Sequence, residues 1–398
     1  MPAAGLALAD WTDLNLAVGS ARWTKPDNFI NDALKRNYIW TRFSRGKGMA
    51  DMFQGGSNIK FNLIFSNPTE IVEMYKPGAE TTYTSPQTLK EATLGWRHLR
   101  ARRLINDHEM RHNHGIGDSR FSSEYVAQQF VNLVKLFDSQ LYGSILDYVE
   151  ERFWANGASQ QAEMENTDGS LMYSLNSLVT EDVTDYHQSG WTNIHGIDPA
   201  TESAWRNQTQ TYDYDDPDDS AGQGDGLIDA FDDMLTDVDF RSPDVYASQA
   251  NALPDSEQWY RTDRQIILCS AGGLNLMKRL LRALNDRLVV AGGQDASYNR
   301  PTFNGVELVW SQQMASATIF GANGQTNNTE LSATPDGYRY YWLNGNYLKW
   351  VFHIDNYFKK MGPFRLERQP DSQAILVDST CNMGCTSRRH QGIVFPAS

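Results

Sequence analysis

Five consecutive residues in this chain have the types and spacing of a catalytic site: His108, Glu109, Met110, Arg111 and His112. The pattern is H-E-x-x-H. On a helix it sets two imidazoles one turn apart to hold zinc, and the glutamate activates the metal-bound water. Gly115 and Asp118 extend the match toward the longer metzincin pattern, with Asp118 as third ligand, and Ser170-Leu171-Met172-Tyr173 has the look of a Met-turn. The implied chemistry is metal-assisted hydrolysis. Such a site needs a stable helix beneath both histidines, yet Arg100 to Arg103 and Asn106 to His114 offer no apolar face on which one would pack. The chain has 8 histidines, and a bare five-residue match also arises by chance. A polar bend between two structural elements is the stronger reading. Zinc held by His108, His112 and Asp118 stands as the alternative.

Other residues invite chemistry and fall short of it. Asp213, Asp215, Asp216, Asp218, Asp219, Asp225 and Asp229 suggest calcium, and Asp225-Gly226-Leu227-Ile228 imitates the middle of an EF-hand loop. The first and third ligand positions then fall on Ala221 and Gln223, and alanine cannot ligate. Gly222, Gly224 and Gly226 follow no apolar strand and lack the phosphate-loop Lys-Ser/Thr, so they form no nucleotide cradle. Lys278, Arg279, Arg282 and Arg287 sit on one amphipathic segment and read as a solvated face. Cys381 and Cys385 stand four apart near His390, too loosely for a zinc site, and read as buried thiols. No cofactor is expected.

The bulk numbers set the frame for these residues. At 398 residues the chain exceeds one ordinary core, so two or three lobes are expected. Hydrophobic residues make up 40% and aromatics 12%, enough for a real core. A formal net charge of −14 disfavours adhesion to nucleic acid, which needs surplus Lys and Arg to displace counterions. Three cysteines, Cys269, Cys381 and Cys385, are too few and odd for a disulfide framework and fit a reducing cytosol. Met1 to Ala9 has no basic leader, and no run approaches the ~18 apolar residues that span a bilayer. The chain is expected to be made as a soluble intracellular protein.

The elements that must position these residues are legible in part. Residues 1–50 scatter Trp11, Trp23, Phe29, Tyr38, Trp40 and Phe43 through polar sequence, the pattern of an arm lying along other surfaces or of a small N-terminal subdomain. Ile59, Phe61, Leu63 and Phe65 alternate with polar residues as a half-buried strand does. Lys76-Pro77-Gly78 marks a break, and a second extended arm runs through Leu89, Leu94 and Trp96. Together 57–95 read as a long hairpin, which needs a neighbour because a lone ribbon is marginally stable. Val126, Phe130, Val134, Phe137, Leu141 and Ile145 recur at helical spacing within 118–154. At ~1.5 Å per residue that helix spans on the order of 50 Å, the length of a spine. An amphipathic helix follows over 226–238. The strand Gln265–Cys269, a helix Leu274–Leu284 and the strand Val306–Trp310 then make an α/β lobe. Tyr338–Phe352 reads as one aromatic-rich strand, and Ala374–Val377 and Gly392–Phe395 close the chain.

Several short strings occur here in an order that is similar to a known family. They are Trp96, Glu109 and Asn113-His114-Gly115; Gly196-Ile197-Asp198 with Trp205-Arg206-Asn207; Tyr341-Trp342-Leu343-Asn344; Gln369-Pro370-Asp371; and Arg388-Arg389-His390-Gln391-Gly392. With the order arm, hairpin, spine helix, α/β lobe and return strands, the chain resembles the major capsid proteins of tailed double-stranded DNA bacteriophages, the Hong Kong 97 type. The resemblance covers most of the chain and also accounts for the H-E-x-x-H stretch.

The resemblance implies an α+β capsid fold in five parts. These are an N-terminal arm over 1–50, an E-loop hairpin over 51–95, and a peripheral domain over 96–179 with its spine helix. An axial domain over 180–345 follows, with insertions near 211–225 and 321–337, then return strands of the peripheral and axial domains over 346–398. It implies a structural protein and no enzyme, assembled in the host cytoplasm into the pentamers and hexamers of an icosahedral virion. The implied partners are other copies of the chain, a portal protein, scaffolding protein and decoration protein, with double-stranded DNA enclosed without sequence-specific binding. Lys60, Tyr75, Lys76, Lys90, Arg388 and Arg389 are the candidates for contacts between subunits. A cellular encapsulin-type compartment shares the fold and remains an alternative. No separate leader precedes the arm, which implies a separate scaffold or prior removal.

Overall fold

The computed structural model describes residues 50–65, 72, 74, 76, 89–106, 123–155, 161–166, 169–187, 190–218, 226–238, 265–284, 302–311, 314, 338–367 and 369–397. In chain order the strands are β1 (Ala50–Phe53), β2 (Asn58–Ile64), β3 (Leu89–Gly95), β4 (Arg97–Asn106), β5 (Gln208–Tyr212), β6 (Gln265–Cys269), β7 (Thr302–Phe303), β8 (Val306–Trp310), β9 (Tyr340–Asn344), β10 (Leu348–His353), β11 (Lys359–Leu366), β12 (Gln369–Cys385) and β13 (Gly392–Pro396). The helices are α1 (Ser123–Trp154), α2 (Gln161–Glu165), α3 (Leu175–Leu178), α4 (Leu227–Val238) and α5 (Ala271–Leu284). Two compact units divide the chain. One draws on Leu99–Tyr148 and Asn356–Ser379, the other on Asn37–His98, Val149–Asp355 and Thr380–Ser398. The C-terminal stretch 346–398, expected from sequence to give return strands to the peripheral and axial domains, is divided between the two units.

In the first unit β11 and β12 run antiparallel, with Lys359 opposite Asp378 and Met361 opposite Leu376. β4 also pairs with β12. Ile105, Ala374, Ile375 and Val377 are buried here, together with Leu141 and Ile145 of α1. The last two are one helical turn apart, as the apolar stripe predicts. Arg100 grips Asp378 with both arms of its guanidinium, at 2.7 and 2.8 Å.

The second unit holds a six-stranded sheet in the order β5-β13-β9-β6-β8-β7. β6, whose five residues are all buried, lies parallel to β8 and antiparallel to β9. A strand apolar on both faces suits this central place. With α5 between β6 and β8 it forms the α/β unit expected from sequence. One face of the sheet presents Tyr212, Val394, Tyr340, Trp342, Ile267, Val306 and Leu308 to the buried sides of α4 and α5. α4 contributes Leu227, Phe231, Met234 and Val238, spaced by four, three and four. It lies over β5 and β13, while α5 lies against β8. Gly392 on β13 makes the first approach feasible, because a Cβ there would overlap Met234 and Val238. On the opposite face the Tyr341 ring meets Trp154 edge-on at 5.7 Å, and its hydroxyl donates to Asn176 Oδ1 at 2.7 Å.

The stretch 338–352 is two strands, not the single strand that its aromatic content suggests. β9 and β10 belong to different sheets. Between them the Asn344 side-chain oxygen accepts from the Asn346 N–H, and the Asn344 carbonyl accepts from the Tyr347 N–H. An asparagine that closes such a turn on its own backbone outweighs the local preference of the aromatics for extended chain. Beyond the turn, β10 pairs antiparallel with β12 and parallel with β1. β1 corrects the expected hairpin boundary: residues 51–53 belong to this sheet and not to the hairpin, because β10 supplies their hydrogen-bonding edge.

Candidate functional site

The hairpin expected from sequence is built on β2 and β3, which pair antiparallel from Asn58↔Gly95 to Ile64↔Leu89. Alternation gives the ribbon two faces. Ile59, Phe61, Leu63 and Phe65 are half-buried, while Lys60, Asn62 and Ile64 are exposed. On the inner face Ala92 packs with Ile197 and Trp205, and Phe61, Leu63 and Phe65 pack against that cluster. The Phe61 ring stands edge-on to His195 at 6.0 Å, and the Phe65 ring leans on Trp205 at 5.8 Å. The Thr93 N–H donates to the His195 carbonyl at 3.1 Å. The root of the ribbon is thus docked on its own chain.

Beneath the root lies a buried polar hub assembled from distant parts of the sequence. Ile194 and Ile197 bridge each other across a tight corner in which His195 (φ 55°) and Gly196 (φ 79°) take left-handed backbone. Glycine meets that conformation without strain, and histidine is among the residues that tolerate it. The Glu165 carboxylate holds the corner by accepting from the His195 N–H at 2.8 Å, the Gly196 N–H at 3.3 Å and the Tyr173 hydroxyl at 2.6 Å. Burial raises the Glu165 pKa, and these hydrogen bonds oppose the rise. The His195 ring is fully buried and stands edge-on to Tyr173 at 4.4 Å. Its Nε2 accepts from the Cys385 N–H at 3.3 Å, so the proton belongs on Nδ1, which has no hydrogen-bond partner among the described residues. Burial, and then the charge of Arg388, lower its pKa to about 3.

Arg388 is itself fully buried. Its guanidinium donates to the carbonyls of Leu178 (2.7 Å), Trp205 (3.0 Å) and Tyr186 (2.9 Å), and to Asn207 Oδ1 (2.9 Å). The expectation that Arg388 contacts a neighbouring subunit is corrected here: its donors are spent on oxygens inside the chain. Arg97 plays a similar part, donating to the carbonyls of Leu171, Trp96, Met164 and Asn166. The strings Gly196-Ile197-Asp198 and Trp205-Arg206-Asn207 therefore serve one purpose. Trp205 Nε1 donates to the Ile194 carbonyl at 3.1 Å, and Asn207 Nδ2 donates to the Thr180 carbonyl at 2.8 Å. Sequence reasoning misses Arg97, Glu165 and His195, and sees Tyr173 only as part of a Met-turn-like string. No local spacing links them, and only the fold brings them together.

Of the other expected contact residues, Lys60 pairs with Glu91 at 2.6 Å, and Lys90 reaches Glu202 at 3.1 Å. Both partners lie within the chain, and exposed pairs of this kind hold little energy. Lys76 and Arg389 are exposed. Tyr75, and the whole H-E-x-x-H segment with His108, His112 and Asp118, lie outside the described residues. So do residues 219–225 and 321–337 of the two expected insertions. Among the described residues no three His, Cys, Asp or Glu gather as a metal would require. No helix among them is long and apolar enough to cross a membrane. Cys381 and Cys385 are buried, and desolvation pushes each thiol up to about 12.

Beyond the charged pairs, the ribbon also leaves apolar side chains uncovered. Ile64 and Leu89, which face each other across β2 and β3, are each 64% exposed, and Val72 and Met74 are exposed further along. No part of a catalytic constellation accompanies them among the described residues. The geometry is that of an anchored ribbon with an uncovered apolar far end, suited to binding another protein surface.

No protein-family model matches the chain, and no curated relative matches it. Solved structures do. The chain is similar to the capsid asymmetric unit of cyanophage A-1(L), at 12% identity and a TM-score of 0.54, over 94% of this chain and 96% of that one. It is also similar to the capsid of cyanophage P-SCSP1u, at 13% identity and a TM-score of 0.49, over 94% and 93% of the two chains. The capsid of an empty GTA particle matches at 10% identity and a TM-score of 0.49, over 93% and 100%. The first of these bears the weight, since its TM-score is above 0.5 over nearly all of both chains. The chain therefore has the α+β fold of phage capsid proteins, the Hong Kong 97-type fold that its sequence resembles.

Proposed function

We propose that this chain is the major capsid protein of a tailed bacteriophage and has no enzymatic role. Many copies form pentamers and hexamers that close into the icosahedral head around double-stranded DNA. The observation that carries the reading is the match of nearly the whole chain to a cyanophage capsid chain. The uncovered apolar end of the β2–β3 ribbon supports it, because a capsid subunit must meet its neighbours over extended surfaces. Each such contact is modest, and closure of the shell multiplies them. The surplus of acid, −14 over the chain, suits a wall that encloses DNA without adhering to it.

In this reading the far end of the ribbon lies over a neighbouring subunit, and Lys76 and Arg389 remain candidates for contacts there. Portal, scaffolding and decoration proteins are the expected partners, and the virion is the expected location. The capsid match spans 94% of the chain, whereas the zinc-hydrolase alternative rests on the short His108–His112 segment.

Sedimentation velocity of the expressed chain, alone and with the products of neighbouring genes, tests the proposal. Boundaries of capsomers or shells support it, and a monomer under every condition overturns it. Nuclease-protected DNA in particles from infected cells separates a viral head from a compartment loaded with protein.

A further inference from the structure

An open strand edge pairs readily with another chain, and proteins blunt it with charge, proline, bulges or short strands. β11 carries Lys359, Lys360, Pro363 and Arg365, and its register shifts between Met361 and Phe364. β7 has two residues and β1 four. β2, β3 and β4 all carry charge. β5, which ends the six-stranded sheet among the described residues, has none of these devices. Its sequence, Gln208-Thr209-Gln210-Thr211-Tyr212, holds no charge, proline or glycine, and it pairs with β13 without a shift.

The bonds from β5 to β13 fix which of its groups face outward. The Gln208 N–H donates to the Gln391 carbonyl at 2.9 Å, and the Ala397 N–H donates to the Tyr212 carbonyl at 2.8 Å. Backbone groups alternate along a strand, so Gln208, Gln210 and Tyr212 direct theirs to β13, and Thr209 and Thr211 direct theirs to the open edge. The side chains alternate too. Tyr212 joins the core beneath α4, and Gln210 Nε2 donates to Asp237 of α4 at 2.6 Å. Thr209 and Thr211 therefore share the other face, and Thr211 is exposed.

This edge is self-complementary. Two copies of β5 related by a two-fold axis at Gln210 run antiparallel, with Thr209 of each opposite Thr211 of the other. Each such pair exchanges both backbone hydrogen bonds and sets threonine against threonine. Charge fits the same register. Arg206 precedes β5, and Asp213, Asp215 and Asp216 follow it, so the acidic end of one strand meets the Arg206 end of the other. Among the described residues no carboxylate pairs with Arg206. The two acidic ends stand roughly 20 Å apart at ~3.3 Å per residue, beyond the ~8 Å screening length. We propose that β5 of one copy pairs antiparallel with β5 of a second copy across this two-fold axis. Such a contact closes on itself and cannot build a ring. In the capsid reading it joins subunits of different capsomers, and the pairing itself stands apart from that reading.

A single cysteine tests it in the full-length chain. Gln210→Cys sets two thiols on the axis as a non-hydrogen-bonded pair, whose Cα atoms stand about 4.5 Å apart, within the span of a disulfide. Oxidation with copper phenanthroline in air should link two chains and no more, because Cys269, Cys381 and Cys385 are buried. A head-to-tail contact brings unlike residues together and gives no such link. Thr211→Pro, added to Gln210→Cys, removes an outward N–H and leaves the bonds to β13 in place. It should cut the yield of linked dimer about tenfold or more.

A Gln210→Cys chain that stays unlinked, although circular dichroism shows it folded, overturns the inference. So does a dimer whose yield Thr211→Pro leaves unchanged, since that link arises from collision and not from strand pairing. Should either variant misfold, amide exchange is measured on the wild-type chain. Thr209 and Thr211 should exchange about tenfold or more slowly in concentrated protein than in dilute protein, and equal rates overturn the pairing. Shell formation by the wild-type chain, followed in parallel, keeps the two readings apart. Linked dimers without rings or shells uphold the pairing and count against the capsid reading, and shells without the link do the reverse.

Discussion

Acid should weaken this protein through His195 in a way that can be measured at one residue. The imidazole is buried and neutral, with a pKa of about 3 against an ordinary 6.5. Two features oppose its protonation: desolvation, and the Arg388 guanidinium nearby. A third is geometric, since Nε2 already accepts from the Cys385 N–H and a protonated ring would turn a donor toward a donor. The unfolded chain takes up a proton near pH 6.5 and the folded chain does not. The stability that His195 confers is therefore complete above that value and is lost as pH falls toward 3. Each pH unit in this window removes ~1.4 kcal/mol, so the loss between pH 6.5 and 4.5 is roughly 3 kcal/mol. That is a large part of the ~5–15 kcal/mol that holds a typical domain. Glu165 acts in the opposite direction, because its raised pKa makes the folded chain the better proton acceptor as pH falls toward 4.5. His195→Asn isolates the histidine. Asparagine tolerates the left-handed backbone there and does not titrate, and Glu165 is kept. Urea unfolding of dissociated subunits at pH 7.0, 5.5 and 4.5 gives the comparison. The variant should be less stable at pH 7.0, and its deficit should shrink by roughly 3 kcal/mol at pH 4.5. A deficit constant across pH, or an NMR titration of His195 near 6.5, would refute the reasoning.

Three further outcomes follow from the same packing. Arg388→Met removes the donor shared by the carbonyls of Leu178, Trp205 and Tyr186. Stranding these buried acceptors should cost about 3–5 kcal/mol in urea unfolding, and a loss below ~1 kcal/mol would contradict the role assigned to it. Cys381 and Cys385, buried and raised to about 12, should resist an aromatic disulfide reagent at pH 8 until the chain is unfolded; rapid labelling of the native chain would argue against their burial. Ile64→Asp with Leu89→Asp should leave subunit stability within ~0.5 kcal/mol, because both side chains face outward. Capsomer formation should fall about tenfold or more, and assembly at the wild-type concentration would remove these residues from the interface.

Elements whose signal is local are legible in the sequence. β6 and β8 announce themselves as short apolar runs, and α4 by spacings of three and four. The alternation of Ile59, Phe61, Leu63 and Phe65 marks which face of β2 turns inward. Non-local features are not legible. β1, only four residues long, is extended because it pairs with β10 some 300 positions away. The turn at Asn344 divides a stretch that aromatic content makes look continuous. Arg388 reads as a surface charge because arginine is seldom fully buried. Only the fold supplies the ring of oxygens that makes burial tolerable. Glu165 and His195 carry no signal of their own, since their roles depend on a corner formed by distant chain.

The central claim is that this chain builds a protein shell, and negative-stain electron microscopy of the expressed full-length protein, alone and with its neighbouring genes, tests it most directly when paired with zinc analysis. The account predicts rings of five and six subunits, tubes or closed shells, without stoichiometric zinc. A monodisperse monomer that carries one zinc per chain under all conditions would contradict it and favour a metal site at His108, His112 and Asp118.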